Sequence, residues 1–306
     1  MSITIPIRKK IDTLKREYSV LCRGKEPLLT IIDETEIPES VYNSNAIENS
    51  TLTLKETEKI LLEMEVSRNV SVQEVFEAKN LSRVMNYVQN KSGEAEIDKE
   101  IILLLHRMLI GGIDDRIAGR FRQPGEYVRV GTHIAPAPEH IEAMLESILT
   151  EYESSFPDYF LERIANFHLE FEKIHPFCDG NGRIGRALIN FQLQQSGYPP
   201  IIIRDKEKQD YYKAFREFDD RGKTKGMGKI LSLSLIESLH KRIAYLRGTK
   251  IITLSEYAKK SGKKAPAIFN AAKRQNVPAF RERGVWKIGA SFATGNGNEN
   301  SNFNFQ

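Results

Sequence analysis

Apolar residues recur at helical spacing along most of the chain, so the sequence predicts a mostly α-helical protein. A charged helix is expected at about 9–18, and the apolar run LLTII at 28–32 follows without a clear assignment. The stretch ESVYNSNAIENS predicts a short helix ending near Asn49, with Val41, Ile47 and the pair Ser44 and Glu48 at helical offsets. Thr53 and Glu56 form a capping box opening a helix to about 65, and Val75, Ala78, Leu81, Val84, Met85 and Val88 mark the next one. Asp98 caps an apolar helix that Gly111 and Gly112 stop, and His106 inside it reads as a packed core histidine. The helical pattern then breaks. PGE and VGT supply turn chemistry while Tyr127, Val128, Val130 and Ile134 favour extended backbone, so a small hairpin is expected, with His133 and His140 on loop surfaces. Helices resume at about 137–152, 157–174, 183–196, 209–219 and 228–246.

At 306 residues the chain can bury a substantial core and divide into two domains, and 40% hydrophobic with 28% charged residues is ordinary for a soluble protein. Cys22 and Cys178 match no metal or disulfide spacing, which fits a reducing compartment. The first residues lack an apolar signal core, and no run approaches the roughly 18 apolar residues of a membrane span. A cytoplasmic protein without membrane contact is expected. The net charge of +4 conceals an asymmetry, because residues 250–289 hold ten Lys/Arg against two Glu.

In that basic segment the pattern shortens to two helices joined by a Gly turn and followed by an aromatic hairpin, which looks like a winged helix-turn-helix. Lys263, Lys264, Lys273 and Arg274 fall on or near its second helix, and Arg281 and Arg283 in the wing. The charge is the footprint of a nucleic-acid binder, here DNA, although such modules also serve for protein docking or as homodimer contacts. Residues 291–306, rich in Asn, Gly and Ser, read as a flexible tail.

The densest chemistry lies in HPFCDGNGRIGR, residues 175–186. Pro176 biases His175 out of the α region, so the helix before it should end there. Gly180, Asn181 and Gly182 then stand at the start of the next helix, where unpaired amides and the positive end of the helix dipole favour a phosphate. Arg183 and Arg186 are three apart and can share a helix face as two forks for phosphate oxygens. Asp179 offers a carboxylate oxygen for a divalent cation bridging phosphates, and His175 is the general base near neutral pH. A plain turn with solvated arginines would not need all these groups in one loop.

The loop resembles the Fic motif, HxFx(D/E)GNGRxxR, at every fixed position: His175, Phe177, Asp179, Gly180, Asn181, Gly182, Arg183 and Arg186. The resemblance implies a helical Fic core at 96–247 between an N-terminal helical region (1–95) and the winged helix-turn-helix module (248–290). It implies a protein adenylyltransferase that moves AMP from ATP, with Mg²⁺, onto a Ser, Thr or Tyr hydroxyl of a target protein or of itself. By that likeness His175 is the base, Asp179 holds Mg²⁺, the GNG backbone and Asn181 hold the α-phosphate, the arginines hold the outer phosphates, and Phe177 is a buried anchor. SNAIEN is similar to the family's inhibitory motif (S/T)xxxE(G/N) through Ser44, Glu48 and Asn49, which implies an inhibitory pairing of Glu48 with Arg186. The hairpin with Tyr127, Val128, Arg129 and Val130 looks like the flap that docks the target by strand addition. DYYKAFREFDD resembles the helix beside adenine, where Tyr211 or Tyr212 could stack, but Asp219-Asp220 stands where relatives often have Gly-Asp. The same residues also serve removal of AMP from modified proteins, and a DNA-binding regulator is the rival from another class.

Overall fold

The structure, a computed structural model, describes residues 3–66, 69–130, 133–154 and 158–290. The expected tail at 291–306, the expected helix start at Pro157 and the Gly131-Thr132 step of the VGT turn lie outside them. The helices are α1 (Ile5–Leu21), α2 (Glu26–Ile47), α3 (Leu54–Glu58, continued by a π-helical turn at Lys59–Glu63), α4 (Val72–Lys91), α5 (Lys99–Ile110), α6 (Ile141–Ser154), α7 (Phe160–Ile174), α8 (Asn181–Gln195), α9 (Lys208–Arg221) and α10 (Lys225–Leu246). A hairpin of β1 (Arg129–Val130) and β2 (His133–Ile134) stands between α5 and α6. The C-terminal segment continues as β3 (Ile251–Thr253), α11 (Leu254–Ser261), α12 (Ala265–Lys273), β4 (Ala279–Glu282) and β5 (Val285–Gly289).

Local chemistry explains the helix ends that the sequence predicted. Thr53 Oγ1 accepts from the Glu56 N–H at 3.2 Å and Glu56 Oε2 from the Thr53 N–H at 2.9 Å, closing the capping box. Asp98 accepts from the Ile101 N–H at 2.8 Å. The largest departure is α2, which absorbs the unassigned LLTII run and passes through Pro38 for 22 residues. A proline inside a helix forfeits one backbone hydrogen bond and normally breaks the pattern. Beyond Pro38 the helix is held from outside: Val41 and Ile47 are fully buried, and Glu39 pairs with the buried Arg204.

The chain forms two compact units built from non-contiguous segments. One comprises Ile3 and Thr35–Leu231; the other comprises Thr4–Glu34 and the chain from Ser232 onward. In the first unit, α4, α5, α7 and α8 share one core that includes Leu81, Val84, Ile102, Leu105, Phe167, Phe171, Ile184, Leu188 and Phe191. Helix α8 is central, with every residue from Arg183 to Leu193 buried. Its two arginines must therefore find partners inside the protein.

In the second unit the sheet order is β3-β5-β4, all antiparallel, and β3 and β5 pair Ile252 with Ile288. Ile252, Leu254, Tyr257, Ile268, Ala272 and Ile288 form its core with α11 and α12. The two short helices and the hairpin expected in this segment are therefore present. Lys263, Lys264, Lys273, Arg274 and Arg283 are exposed. Arg281 departs from the expected basic surface: its Nη2 donates to Glu237 Oε2 at 2.6 Å and its guanidinium lies 4.7 Å from the Trp286 ring centre. Its charge is neutralised within the fold.

Phe191 reports on the central helix, being fully buried in the shared core. Phe191→Ala is expected to destabilise the first unit by about 3–5 kcal/mol, read as a lowered midpoint in urea unfolding.

Candidate active site

Helix α7 ends at His175, whose φ of 49° and ψ of 63° are left-handed. Pro176 excludes the α region for its predecessor, which explains the stop. A non-glycine residue in this region costs about 1–2 kcal/mol and must be held there. The His175 N–H still closes on the Phe171 carbonyl at 3.0 Å. The ring is 15% exposed, and Nδ1 lies 3.2 Å from the Glu172 carbonyl oxygen. A carbonyl only accepts, so Nδ1 carries the hydrogen and Nε2 keeps the lone pair. Burial holds His175 below its ordinary pKa. Arg122 acts in the same direction, while the Glu172 carbonyl and Glu48 oppose it.

Gly180 turns the chain into α8 at φ 82°, and a Cβ there would approach Leu109 Cδ2 to 2.9 Å. The position requires glycine on both counts. Gly180 supplies no side-chain cap, so the first amides of α8 are left for an anion. The Asn181 side chain is not part of that cradle. Its Nδ2 donates to the Phe177 carbonyl at 2.8 Å and its Oδ1 accepts from the Phe177 N–H at 2.9 Å, so the amide closes the loop and only the Asn181 backbone faces the anion site. Phe177 is fully buried and stacks on His106 with centroids 3.7 Å apart.

His106 does more than fill the core. Its Nδ1 accepts from the Gly119 N–H at 3.0 Å, which leaves Nε2–H to donate to the Asp179 carbonyl at 3.1 Å. Burial pushes its pKa down to about 4, so the ring is neutral and this tautomer persists. Asp179 Oδ1 accepts from the Gly180 N–H at 2.6 Å and from Arg183 Nη2 at 3.1 Å, and the side chain is 55% exposed. Its Oδ2 has no hydrogen bond among the described residues. One exposed carboxylate oxygen beside a phosphate cradle suits Mg²⁺, which keeps most of its water and shares phosphates. Among the described residues no group of three His, Cys, Asp or Glu forms a metal cage.

Arg186 is the most constrained group in the site. Its Nε donates to Ser44 Oγ at 2.9 Å, and Nη2 donates to the Ser44 carbonyl at 2.9 Å and to Glu48 Oε1 at 2.8 Å. Ser44 and Glu48, on one helix face as their spacing predicted, thus meet one guanidinium, and the contact of Glu48 with Arg186 is the pairing that the Fic resemblance implied. Glu48 lies so close to α8 that a Cβ at Gly182 would collide with its Oε1. Arg186 Nη1 and Arg183 Nε are buried with no hydrogen-bond partner among the described residues. Burial disfavours the Arg186 charge, but Glu48 and Tyr211 outweigh it and raise the pKa.

Asn49 follows Glu48 at φ 69°, a conformation that asparagine or glycine tolerates, which gives a physical reason for that residue type at the end of α2. Helix α9 then fastens this end. Lys208 Nζ donates to Asn49 Oδ1 at 2.8 Å, and the Tyr212 hydroxyl donates to the Ile47 carbonyl at 3.0 Å. Tyr211, expected as a stacking candidate, is instead buried at 1% exposure, with its hydroxyl 2.8 Å from His168 Nε2. Of the two tyrosines, Tyr212 is the less buried.

Beside the loop, β1 and β2 pair Arg129 with Ile134 and Val130 with His133, and the Ala135 N–H donates to the Val128 carbonyl at 3.1 Å. Tyr127 and Ile134 are exposed at 65% and 69%. His133 is not a free surface residue, since its Nε2 donates to the Lys173 carbonyl at 2.9 Å and fixes the hairpin to α7. Cys178 is half-buried with its thiol pKa raised by burial and by Glu126, and no feature gives it a chemical role.

The sequence reading missed Arg122, Glu172, Lys208 and the supporting role of His106. Glu172 is buried, its Oε1 has no hydrogen-bond partner among the described residues, and its pKa is pushed up to about 8 by burial and then by Glu48, with Arg186 opposing. No periodicity marks these residues; only the folded loop collects them.

Residues 96–193 match the Fic/DOC family. The chain is 34% identical over 209 residues to the protein adenylyltransferase Fic of Nematostella vectensis, covering 66% of this chain and 48% of that relative. The chain therefore spans about half the length of this relative. A crystal structure of a Fic domain containing signaling protein from Bacteroides thetaiotaomicron superposes with a TM-score of 0.70 at 26% identity, covering 78% of this chain and 98% of that one. A Fic family protein from Desulfovibrio desulfuricans shares the fold over 97% of this chain and 98% of that one, with a TM-score of 0.62 at 19% identity. Motif, fold and relatives agree that residues 96–193 of this chain form a Fic domain.

Proposed function

We propose that the protein is an autoinhibited protein adenylyltransferase that uses ATP. The observation that carries the reading is the state of Arg186: two of its nitrogens are occupied by Ser44 and Glu48, and the third is buried and unpaired beside an open helix N-terminus. A nucleotide triphosphate supplies what that arrangement lacks. Its α-phosphate would rest on the amides that open α8, and its outer phosphates would meet Arg183 and Arg186. Mg²⁺, when bound at Asp179, would neutralise phosphate charge. Tyr212, the less buried of the two tyrosines, would stack on adenine, and Tyr127 to Val130 would form the edge on which an extended target segment adds as a strand.

His175 then takes the proton of the target hydroxyl on Nε2. The hydroxyl oxygen forms a bond to the α-phosphorus as the bond to the outer phosphates breaks, and pyrophosphate leaves. Glu48 opposes this by holding the Arg186 fork and by placing negative charge where phosphate charge belongs.

Incubation with ATP labelled at the α-phosphate and Mg²⁺ tests the reading. Label is expected in the protein itself or in lysate proteins with Glu48→Gly, at a level at least about tenfold above wild type, and absent from Glu48→Gly with His175→Ala. Absence of label in all three would reject the transferase reading and leave removal of AMP, or DNA binding by the basic segment, to be assayed.

The pH dependence follows from burial of His175. The base works when neutral, and its lowered pKa keeps it neutral below the ordinary imidazole value of about 6.5. Removing Glu48 removes a contribution that raises this pKa, so in Glu48→Gly the transfer rate should stay level as pH falls through about 6.5 and decline only at lower pH. A half-maximal rate at or above about 6.5 would contradict this protonation state.

A further inference from the structure

Arg122 is 3% exposed and sits where three segments meet. Its Nε donates to the His175 carbonyl at 2.8 Å, and Nη2 donates to the Ile174 carbonyl at 3.2 Å and to the Pro136 carbonyl at 2.9 Å. Nη1 donates to the Glu126 carbonyl at 3.0 Å. Its own N–H donates to the Pro176 carbonyl at 2.9 Å. The nearby carboxylate of Glu126 is bound instead by Arg120, at 2.7 Å through each of two nitrogens. Arg122 is thus a buried cation answered by four carbonyls, an expensive arrangement for a residue whose only task is packing.

The four carbonyls come from both sides of the site. Ile174 and His175 end α7, Glu126 precedes the hairpin and Pro136 follows it. The bond to the His175 carbonyl fixes the left-handed backbone that aims the imidazole, and the bonds to Glu126 and Pro136 fix both ends of the hairpin against the same guanidinium. We propose that Arg122 is a positioning residue that locks the His175 base in register with the hairpin, so that a hydroxyl docked on the hairpin meets Nε2. This rests on the transferase reading above. Only a planar fork can reach carbonyls in these directions at once, and lysine, a point charge, cannot.

The charge of Arg122 provides a second handle. The groups facing His175 are, from α7, the Glu172 carbonyl and the Glu172 carboxyl 3.9 Å from Nδ1, together with Arg122, Glu48 from the end of α2 and His133 from β2. Arg122 and His133 lower the His175 pKa, whereas the Glu172 carbonyl and Glu48 raise it. Position and charge separate in two variants, because Arg122→Lys keeps the cation and loses the fork, and Arg122→Met loses both.

The test uses the full chain carrying Glu48→Gly. Its readouts are self-labelling from α-labelled ATP, ATP affinity by calorimetry, and the His175 titration by NMR, assigned with His175→Ala. Both variants are expected to lower the maximal labelling rate by about tenfold or more, as misplacement of a base does, with ATP affinity within about twofold. The His175 titration should move to higher pH in Arg122→Met and stay in place in Arg122→Lys. Labelling by Arg122→Lys at the parent rate, or loss of ATP affinity in step with rate, would overturn the proposal. An unmoved titration in Arg122→Met would also overturn it. If the Glu48→Gly parent itself transfers no label, the transferase reading fails, and the NMR titration still decides whether Arg122 acts on His175.

Discussion

A guanidinium buried on the central helix has to be balanced, and much of this site can be understood from how Arg186 is balanced. Arg186 is 4% exposed in a helix closed on every side from Arg183 to Leu193. An uncompensated charge in such a place costs several kcal/mol, so the fold must bring an acceptor to it or leave room for an anion. It does both. Ser44 and Glu48 arrive from the end of α2, and one nitrogen stays unpaired. The same positive centre that would receive a triphosphate thus gives the α2 segment a reason to sit over the loop.

The surrounding groups make sense as supports for the proposed competition between Glu48 and a phosphate. Lys208 and Tyr212 of α9 hold the end of α2 on its carbonyls and on Asn49, so Glu48 is presented by an anchored turn. On the other side of the loop, His106 and the Asn181 amide fix the backbone of Phe177 and Asp179. These bonds are between neutral groups in a dry interior, where each unmade bond costs more than in water. The fixed part of the site is therefore the loop, and in the proposed inhibition the exchangeable part is the partner of Arg186. Glu48, at 37% side-chain exposure, is its most accessible member.

How much of this the sequence revealed depends on the kind of interaction. Helical spacing located most of the helices, because apolar burial writes its period directly into the chain. The loop was legible because its groups are consecutive, and Pro176 and Gly180 dictate the backbone geometry at the helix end and the helix start. The Ser44 and Glu48 pair was legible through its four-residue offset together with the Fic resemblance. What stayed hidden was non-local. Pro38 masked the continuity of α2, since the pairing of Glu39 with Arg204 that holds its second half joins residues far apart in sequence. Tyr211 and Tyr212 are adjacent and chemically alike, and only packing shows that the first is buried against His168 while the second holds α2. Arg122 and His106 likewise act on backbone carbonyls of the loop from other segments, and carbonyls carry no sequence signal.

In the proposed inhibition, Glu48 and an outer phosphate compete for Arg186. The most direct measurement is calorimetric binding of ATP and of AMP, each with Mg²⁺, to the wild-type chain and to Glu48→Gly. If the claim holds, ATP binds at least about tenfold more tightly to Glu48→Gly while AMP, which has no outer phosphates, changes by less than about twofold. Equal affinity of ATP for the two proteins, or the same gain for AMP as for ATP, would contradict it.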